Sequence, residues 1–205
     1  MHVLLGNGPW MTWNAILALV PLTAAAVLFT GDRRRLSMVW WLGASAFLAF
    51  LPNAPYVLTD ALHLPGDLRA VTGRYGASAA LLVQYGLLIA IGMGAYAGSL
   101  ELLRRFLARR GWPTRDLARL ELALHGLCAI GVLLGRFARF NSWDLGTRPG
   151  AVAEHLRVRL DDAGSWKLLL STFAVLVIGT AVARVVGRAL HATYEWVLRG
   201  PAGRA

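Results

Sequence analysis

An all-α, polytopic membrane bundle is the fold class this sequence predicts, and three observations predict it. Hydrophobic residues make up 57% of the 205 positions and charged ones only 16%, with a mean hydropathy of +0.52. That is too oily for a soluble globule of this length. The apolar residues fall into runs able to cross a hydrocarbon core. The net charge of +10 comes from twenty arginines and one lysine gathered between those runs. There they read as topology and lipid-headgroup charges, not as a nucleic-acid footprint, so no nucleic-acid partner is expected.

Five spans follow in order, all within one integral-membrane domain, 1–205. The first, about 11–30, has the roughly 20 residues a crossing needs. No arginine or lysine precedes it, and Arg33, Arg34 and Arg35 follow it, which are the wrong flanks for a signal peptide. The second, 36–51, is short at about 1.5 Å per residue. It either tilts little or borrows a re-entrant piece from the segment after it, which is tolerated at depth only where protein or water covers it. The third covers about 77–103, the fourth 117–134 and the fifth 166–190. Cys128 is the single cysteine, so no internal disulfide is available.

With the N-terminus outside, the cytoplasmic side collects Arg33, Arg34, Arg35, the six arginines between 104 and 119, and Arg184, Arg188, Arg199 and Arg204. That is thirteen of the 21 cations. The other side takes Arg69, Arg74, Arg136, Arg139, Arg148, Arg157, Arg159 and Lys167. The bias favours an extracytoplasmic N-terminus. An odd number of spans then puts the segments after the second and fourth spans on one face.

Those two segments carry the unusual residues. In PNAPYVLTDALHL (52–64), two prolines remove backbone donors and should break the helix that reaches Leu51. If an α-helix resumes at Tyr56, then Tyr56, Thr59, Asp60 and His63 share one face. In GRFARFNSWDLGTRP (135–149), Arg136 and Arg139 lie three apart and point the same way from the end of the fourth span. Tracing that face back gives Val132, Cys128, His125 and Glu121. Ionisable groups there normally face protein or water, so the fourth span should be central.

Trp13-Asn14 with Pro21 in the first span, together with both long motifs, resemble a family of predicted bacterial membrane proteins, domain-of-unknown-function family 1361. The resemblance covers nearly the whole chain. It implies a multi-span protein of bacterial type, hence of the cell (inner) membrane, and carries over no catalytic role.

The candidate site is the pair of motifs. Asp60 and His63 have the spacing to act as acid and base, or to hold a divalent metal with Asp144 or Asn141 adding an oxygen. The plainer reading is that Asp60 accepts a hydrogen bond from His63 or pairs with Arg136 or Arg139, locking the two loops together. Either reading predicts that the loops touch. Arg136 and Arg139 suit a forked grip on phosphate or carboxylate, or simply reach to headgroups. Asn53, Tyr56, Asn141 and Asp144 would orient them, and Trp143 reads as an interfacial anchor.

These features lead to an expected site for an anionic, lipid-like or lipid-linked molecule. Two alternatives are a non-enzymatic scaffold or subunit, and a small proton-coupled transporter using Glu121 and His125, with Gln84 as the partner of that histidine. Stripes of small residues, Gly86, Ala90, Gly94 and Gly98 in span three and Gly179, Ala183 and Gly187 in span five, suit close helix packing, a homodimer or a partner membrane protein. A surface helix is expected from Val152, Leu156 and Leu160. No Gly-rich phosphate loop, His-Glu-x-x-His, cysteine pair or Gly-x-Ser-x-Gly occurs, against an NTPase, zinc protease or serine hydrolase.

Overall fold

A computed structural model of the protein describes residues 2–31, 35–138 and 144–199. Nine α-helices and one 3-10 helix make up the described residues: α1 (His2–Phe29), α2 (Met38–Phe50), α3 (Asn53–Tyr56), the 3-10 helix (Val57–His63), α4 (Leu64–Ala70), α5 (Tyr75–Arg109), α6 (Thr114–Ala138), α7 (Asp144–Thr147), α8 (Pro149–Leu160) and α9 (Ala163–Arg199). Five helical stretches are long and apolar enough to cross a membrane: α1, the path Met38–Ala70, α5, α6 and α9. The protein is therefore an all-α, multi-pass membrane bundle.

The second stretch is where the structure departs most from expectation. The prolines change the winding without turning the chain back. Leu51 and Pro52 keep right-handed helical angles, and the Ala54 N–H reaches back three residues to Leu51 O (3.2 Å). Pro52 and Pro55 cannot donate, so the i→i−4 ladder has gaps there; the Tyr56 N–H still reaches Pro52 O (3.1 Å), and tighter three-residue bonds take over in the 3-10 helix. The path from Met38 to Ala70 is 33 residues, about 50 Å long at α-helical rise, against a core of about 30 Å. The 3-10 helix begins 19 residues along that path, about 29 Å from Met38 and close to the thickness of such a core. Arg136 lies a similar distance along α6, 22 residues from Thr114, or about 33 Å.

The near end is tied by aromatics. Phe29 packs edge-on to Phe47 (centroids 5.1 Å) and beside Phe106 (5.4 Å), which in turn stacks with Trp40 (5.6 Å). Ser37 caps α2 by accepting the Trp40 N–H, and the Trp40 indole donates to Leu28 O (3.1 Å). Arg109 donates to Phe29 O (2.7 Å), a cation at the carbonyl end of α1. On the other side of the bundle, Asp162 accepts the Ser165 N–H (2.8 Å) and O–H (3.0 Å) at the start of α9. Those bonds hold its carboxyl below the ordinary value of 3.8.

Close backbone approach fixes the broken segment. A Cβ on Gly92 of α5 would lie 2.6 Å from Ala54 O and run into Val57, and one on Gly131 of α6 would lie 2.5 Å from Pro52 Cβ. These glycines let α5 and α6 press against α3 and the start of the 3-10 helix. The expected stripe in α5 is only partly used: Gly86, Ala90 and Gly94 are exposed, with open space at Gly86 and Gly94, and Gly98 alone meets Leu22. The core face of α5 is instead Leu81, Tyr85, Leu88, Gly92, Ala95, Tyr96 and Ser99. In α9, Gly179 packs on Met93 while Gly187 is open. α6 is the most enclosed of the five, with 44% of its most apolar stretch buried against 11% for α9, which matches its expected central place. α8 buries Val152 and packs on α6 and α9.

Candidate functional site

The far end of the bundle holds a ladder of polar and aromatic pairs between α1 and the chain after the prolines. Asn14 Nδ2 donates to Asp60 Oδ2 (2.8 Å), Trp10 lies against the His63 ring (centroids 5.8 Å), and Asn7 Nδ2 donates to Asp67 Oδ2 (2.6 Å). Positions 7, 10 and 14 form one stripe of α1, and their partners 67, 63 and 60 run the opposite way, so the two stripes pair antiparallel. Tyr85 of α5 closes the third rung by donating to Asp67 Oδ2 (2.8 Å), with its ring 6.2 Å from that of Trp10.

Asp60 is the best-enclosed acid of the ladder, 5% exposed. His63 and Arg136 both act on its charge, and α3, which lies in the first motif, packs on α6, whose end opens the second. Neither His63 nor Arg136 forms a hydrogen bond or ion pair with Asp60. The hydrogen bond expected from His63 and the ion pair expected with Arg136 are both absent among the described residues, and Asn14 supplies the donor instead. Gln84 Oε1 is the enclosed side-chain atom left without a partner among the described residues. Arg136 likewise makes no hydrogen bond to a described residue.

The shared face expected for Tyr56, Thr59, Asp60 and His63 is divided. A 3-10 helix repeats every three residues, not every 3.6, so Val57, Asp60 and His63 form one row. Thr59 belongs to the row of Tyr56 and donates to its carbonyl (2.8 Å). Asn53 is partly buried at the start of α3. Asp144 is enclosed and bonds Arg148, one turn on, at 2.6 Å; it is not among the partners of Asp60. Arg139, Asn141 and Trp143 lie outside the described residues, as do Arg33, Arg34 and Arg204.

A metal fits this arrangement poorly. Asp60 already accepts an amide hydrogen, His63 lies against an indole, and no three His, Cys, Asp or Glu side chains converge among the described residues. Replacing Asn14 by alanine should leave a buried carboxylate without its donor and cost about 1–3 kcal/mol. A fall in the melting temperature of the detergent-solubilised protein would register it, and an unchanged value would mean that Asp60 finds another partner.

A second polar cluster lies deeper, among α5, α6 and α9. Tyr96 Oη is 2.8 Å from His125 Nδ1, and His125 Nε2 is 3.5 Å from both Glu121 Oε1 and Thr180 Oγ1. Arg184 bonds Glu121 and lies 3.9 Å from Glu101, which Arg104 and Arg105 also hold. The partner of His125 is thus Tyr96, not Gln84, whose amide donates to Leu4 O (3.2 Å). The sequence reading missed Asn7, Trp10, Asn14, Asp67 and Tyr85 as site residues. The available signal was the seven-residue interval shared by Asn7/Asn14 and Asp60/Asp67.

A profile of the protein family of unknown function DUF1361 matches residues 13–179, which takes in Asn14 and both motifs. The chain belongs to the DUF1361 family. Searches of curated proteins and of solved structures return no match. For this DUF1361 protein the chemistry must therefore be argued from the ladder and from Arg136.

Proposed function

We propose that the far end of the bundle is a membrane-boundary binding site for an anionic, lipid-like or lipid-linked molecule. The observation that carries this reading is Arg136. Its guanidinium stands close enough to the buried Asp60 to interact electrostatically, without closing an ion pair and without a described hydrogen bond. Guanidinium is the side chain best matched to phosphate or carboxylate, and about 33 Å along α6 would bring Arg136 to the level of lipid headgroups. Asp60 and His63 would bind or exchange protons beside the anion, and Tyr56 and Asn53 would border it. The arginine bias supports placing this end on the extracytoplasmic side of a bacterial inner membrane; cysteine-accessibility labelling at Arg74 and Arg115 tests that orientation.

Purified protein should carry a stoichiometric anionic lipid in native mass spectrometry, and Arg136→Ala should lose most of it while remaining monodisperse. Wild-type protein bare of lipid would end this reading and favour a scaffold whose motifs only fasten helices.

The Glu121–His125–Tyr96 string supports a second reading, proton-coupled transport, because acid and imidazole sit side by side within the bundle. Substrate-driven proton uptake into vesicles that disappears in His125→Asn would favour it over the first.

A further inference from the structure

We propose that the cleft between α5 and α6 is a water inlet through which the Glu121–His125–Tyr96 string exchanges protons with the near side of the membrane alone. This deepens the second reading above, proton coupling, and does not depend on the lipid site. The cleft opens in the near half of the bundle and holds about 230 Å³ of empty space. Two matching faces line it, Leu-x-x-Leu-Arg-x-x-Leu from Leu100 to Leu107 and Leu-x-x-Leu-Glu-x-x-Leu from Leu117 to Leu124, so Arg104 stands on one wall and Glu121 on the other. It admits a molecule the size of water, and a water there finds a guanidinium and a carboxylate to bond. A lipid chain would meet the same two groups and satisfy neither.

Glu121 is also where the cleft meets the string: it lines the opening, and its Oε1 lies 3.5 Å from His125 Nε2. The surrounding hydrogen bonds fix the histidine tautomer. Thr180 gives its hydroxyl hydrogen to Leu176 O (2.8 Å), so toward His125 Nε2, at 3.5 Å, its oxygen can only accept. An ionised Glu121 only accepts as well. With acceptors on that side Nε2 carries the ring hydrogen, and Nδ1 accepts the Tyr96 O–H (2.8 Å). Exchange then moves the Nε2 hydrogen to Glu121 Oε1 as Tyr96 passes its own to Nδ1. The ring keeps one hydrogen throughout, and the negative charge moves from Glu121 to Tyr96 for that moment. The Glu121 carboxyl trades its hydrogen with a water in the cleft, and both shifts reverse.

Beyond His125 the route is shut. Tyr96 and Cys128 are 0% exposed, and Ala129, Val132 and Leu133, on the next turns of α6, 1% each. Gly92 and Gly131 lie between the string and the far end; a Cβ there would run into Ala54 O or Pro52, so backbone fills that level. The ionisable groups around the histidine and its acid are Tyr96, Glu101 and Arg104 of α5, Glu121 and Cys128 of α6 and Arg184 of α9. The acids and arginines among them all stand on the near side of His125.

The test uses the full chain in nanodiscs. Hydroxyl radicals made in the water by a brief X-ray pulse label the side chains that water touches, and peptide mass spectrometry reads the label residue by residue. Leu103 and Leu120 should be labelled about tenfold above Leu122, an exposed leucine of α6 that lipid covers, since the hydrocarbon holds no water. Val132 and Leu133 should stay unlabelled. Labelling of Leu120 no greater than that of Leu122 would overturn the inlet, and labelling that runs on through Val132 would overturn its one-sidedness. Deuterium exchange of the His125 Nε2–H, followed by 15N NMR and assigned by its loss in His125→Asn, is the second measurement. It should proceed in the wild type and run about tenfold slower in Leu120→Phe, whose ring fills the cleft. Equal rates would overturn this route and leave proton coupling to find another, whereas no exchange in the wild type would overturn both. Because the labelling is done on wild-type protein, poor folding of a variant does not blunt it.

Discussion

Gly92→Val lowers the stability of the protein by about 3 kcal/mol, the upper range for forcing side-chain atoms into a filled contact. Its Cβ would sit 2.6 Å from the carbonyl oxygen of Ala54 and collide with Val57. A carbonyl belonging to a helical backbone cannot swing aside as a side-chain end does. α5 would have to back away from the broken segment, loosening the wall behind Asp60. Gly86→Val, six positions earlier where nothing lies within 4 Å, is the control and should melt with the wild type. Thermal unfolding in detergent measures both. Equal melting temperatures for wild type and Gly92→Val would show that the close approach is not a constraint.

Arg184→Leu costs about 3 kcal/mol, the lower range for breaking an enclosed ion pair. The arginine bonds Glu121 and faces Glu101, and its removal leaves the acid beside His125 without its cation. The lower range applies because the arginine side chain is 28% exposed and water softens the loss. The double variant Glu121→Gln with Arg184→Gln keeps hydrogen-bonding capacity without either charge and should recover part of the deficit. A double variant no more stable than Arg184→Leu would argue that shape, not charge, holds α9.

Composition was enough to read the class of fold and the number of long helices, because apolar runs of membrane length have few other uses. The enclosed stripe of Val132, Cys128, His125 and Glu121 was legible for the same reason: ionisable groups in a span have to face inward. That α3 and the end of the fourth span lie on the same side of the bundle agrees with span parity. The winding between the prolines was not legible. Pro52 and Pro55 announce a lapse in the ladder, but a reversal and a 3-10 continuation satisfy that signal equally. The choice is made by Gly92 and Gly131, which press from helices far away in sequence. The glycine stripe in α5 misled for a related reason, since spacing marks a smooth face without saying whether protein or lipid covers it. Asn14 was conspicuous in sequence and still unassigned, because no local rule pairs it with a carboxylate 46 residues later.

The rungs between α1 and the broken segment have a mechanical consequence. Two amide donors stand on one rod and their carboxylate acceptors on the other, with the Trp10–His63 ring pair between them, so the height of α1 relative to its neighbour sets all three pairs at once. A slip of one helical turn, about 5.4 Å, would unmatch Asn7, Trp10 and Asn14 together, and no single rung can adjust alone. The pairing is thus keyed like a lock whose tumblers share one bar: pushing or tilting the first helix alters every rung in a single step, while a fluctuation confined to one side chain leaves the remaining pairs holding the alignment.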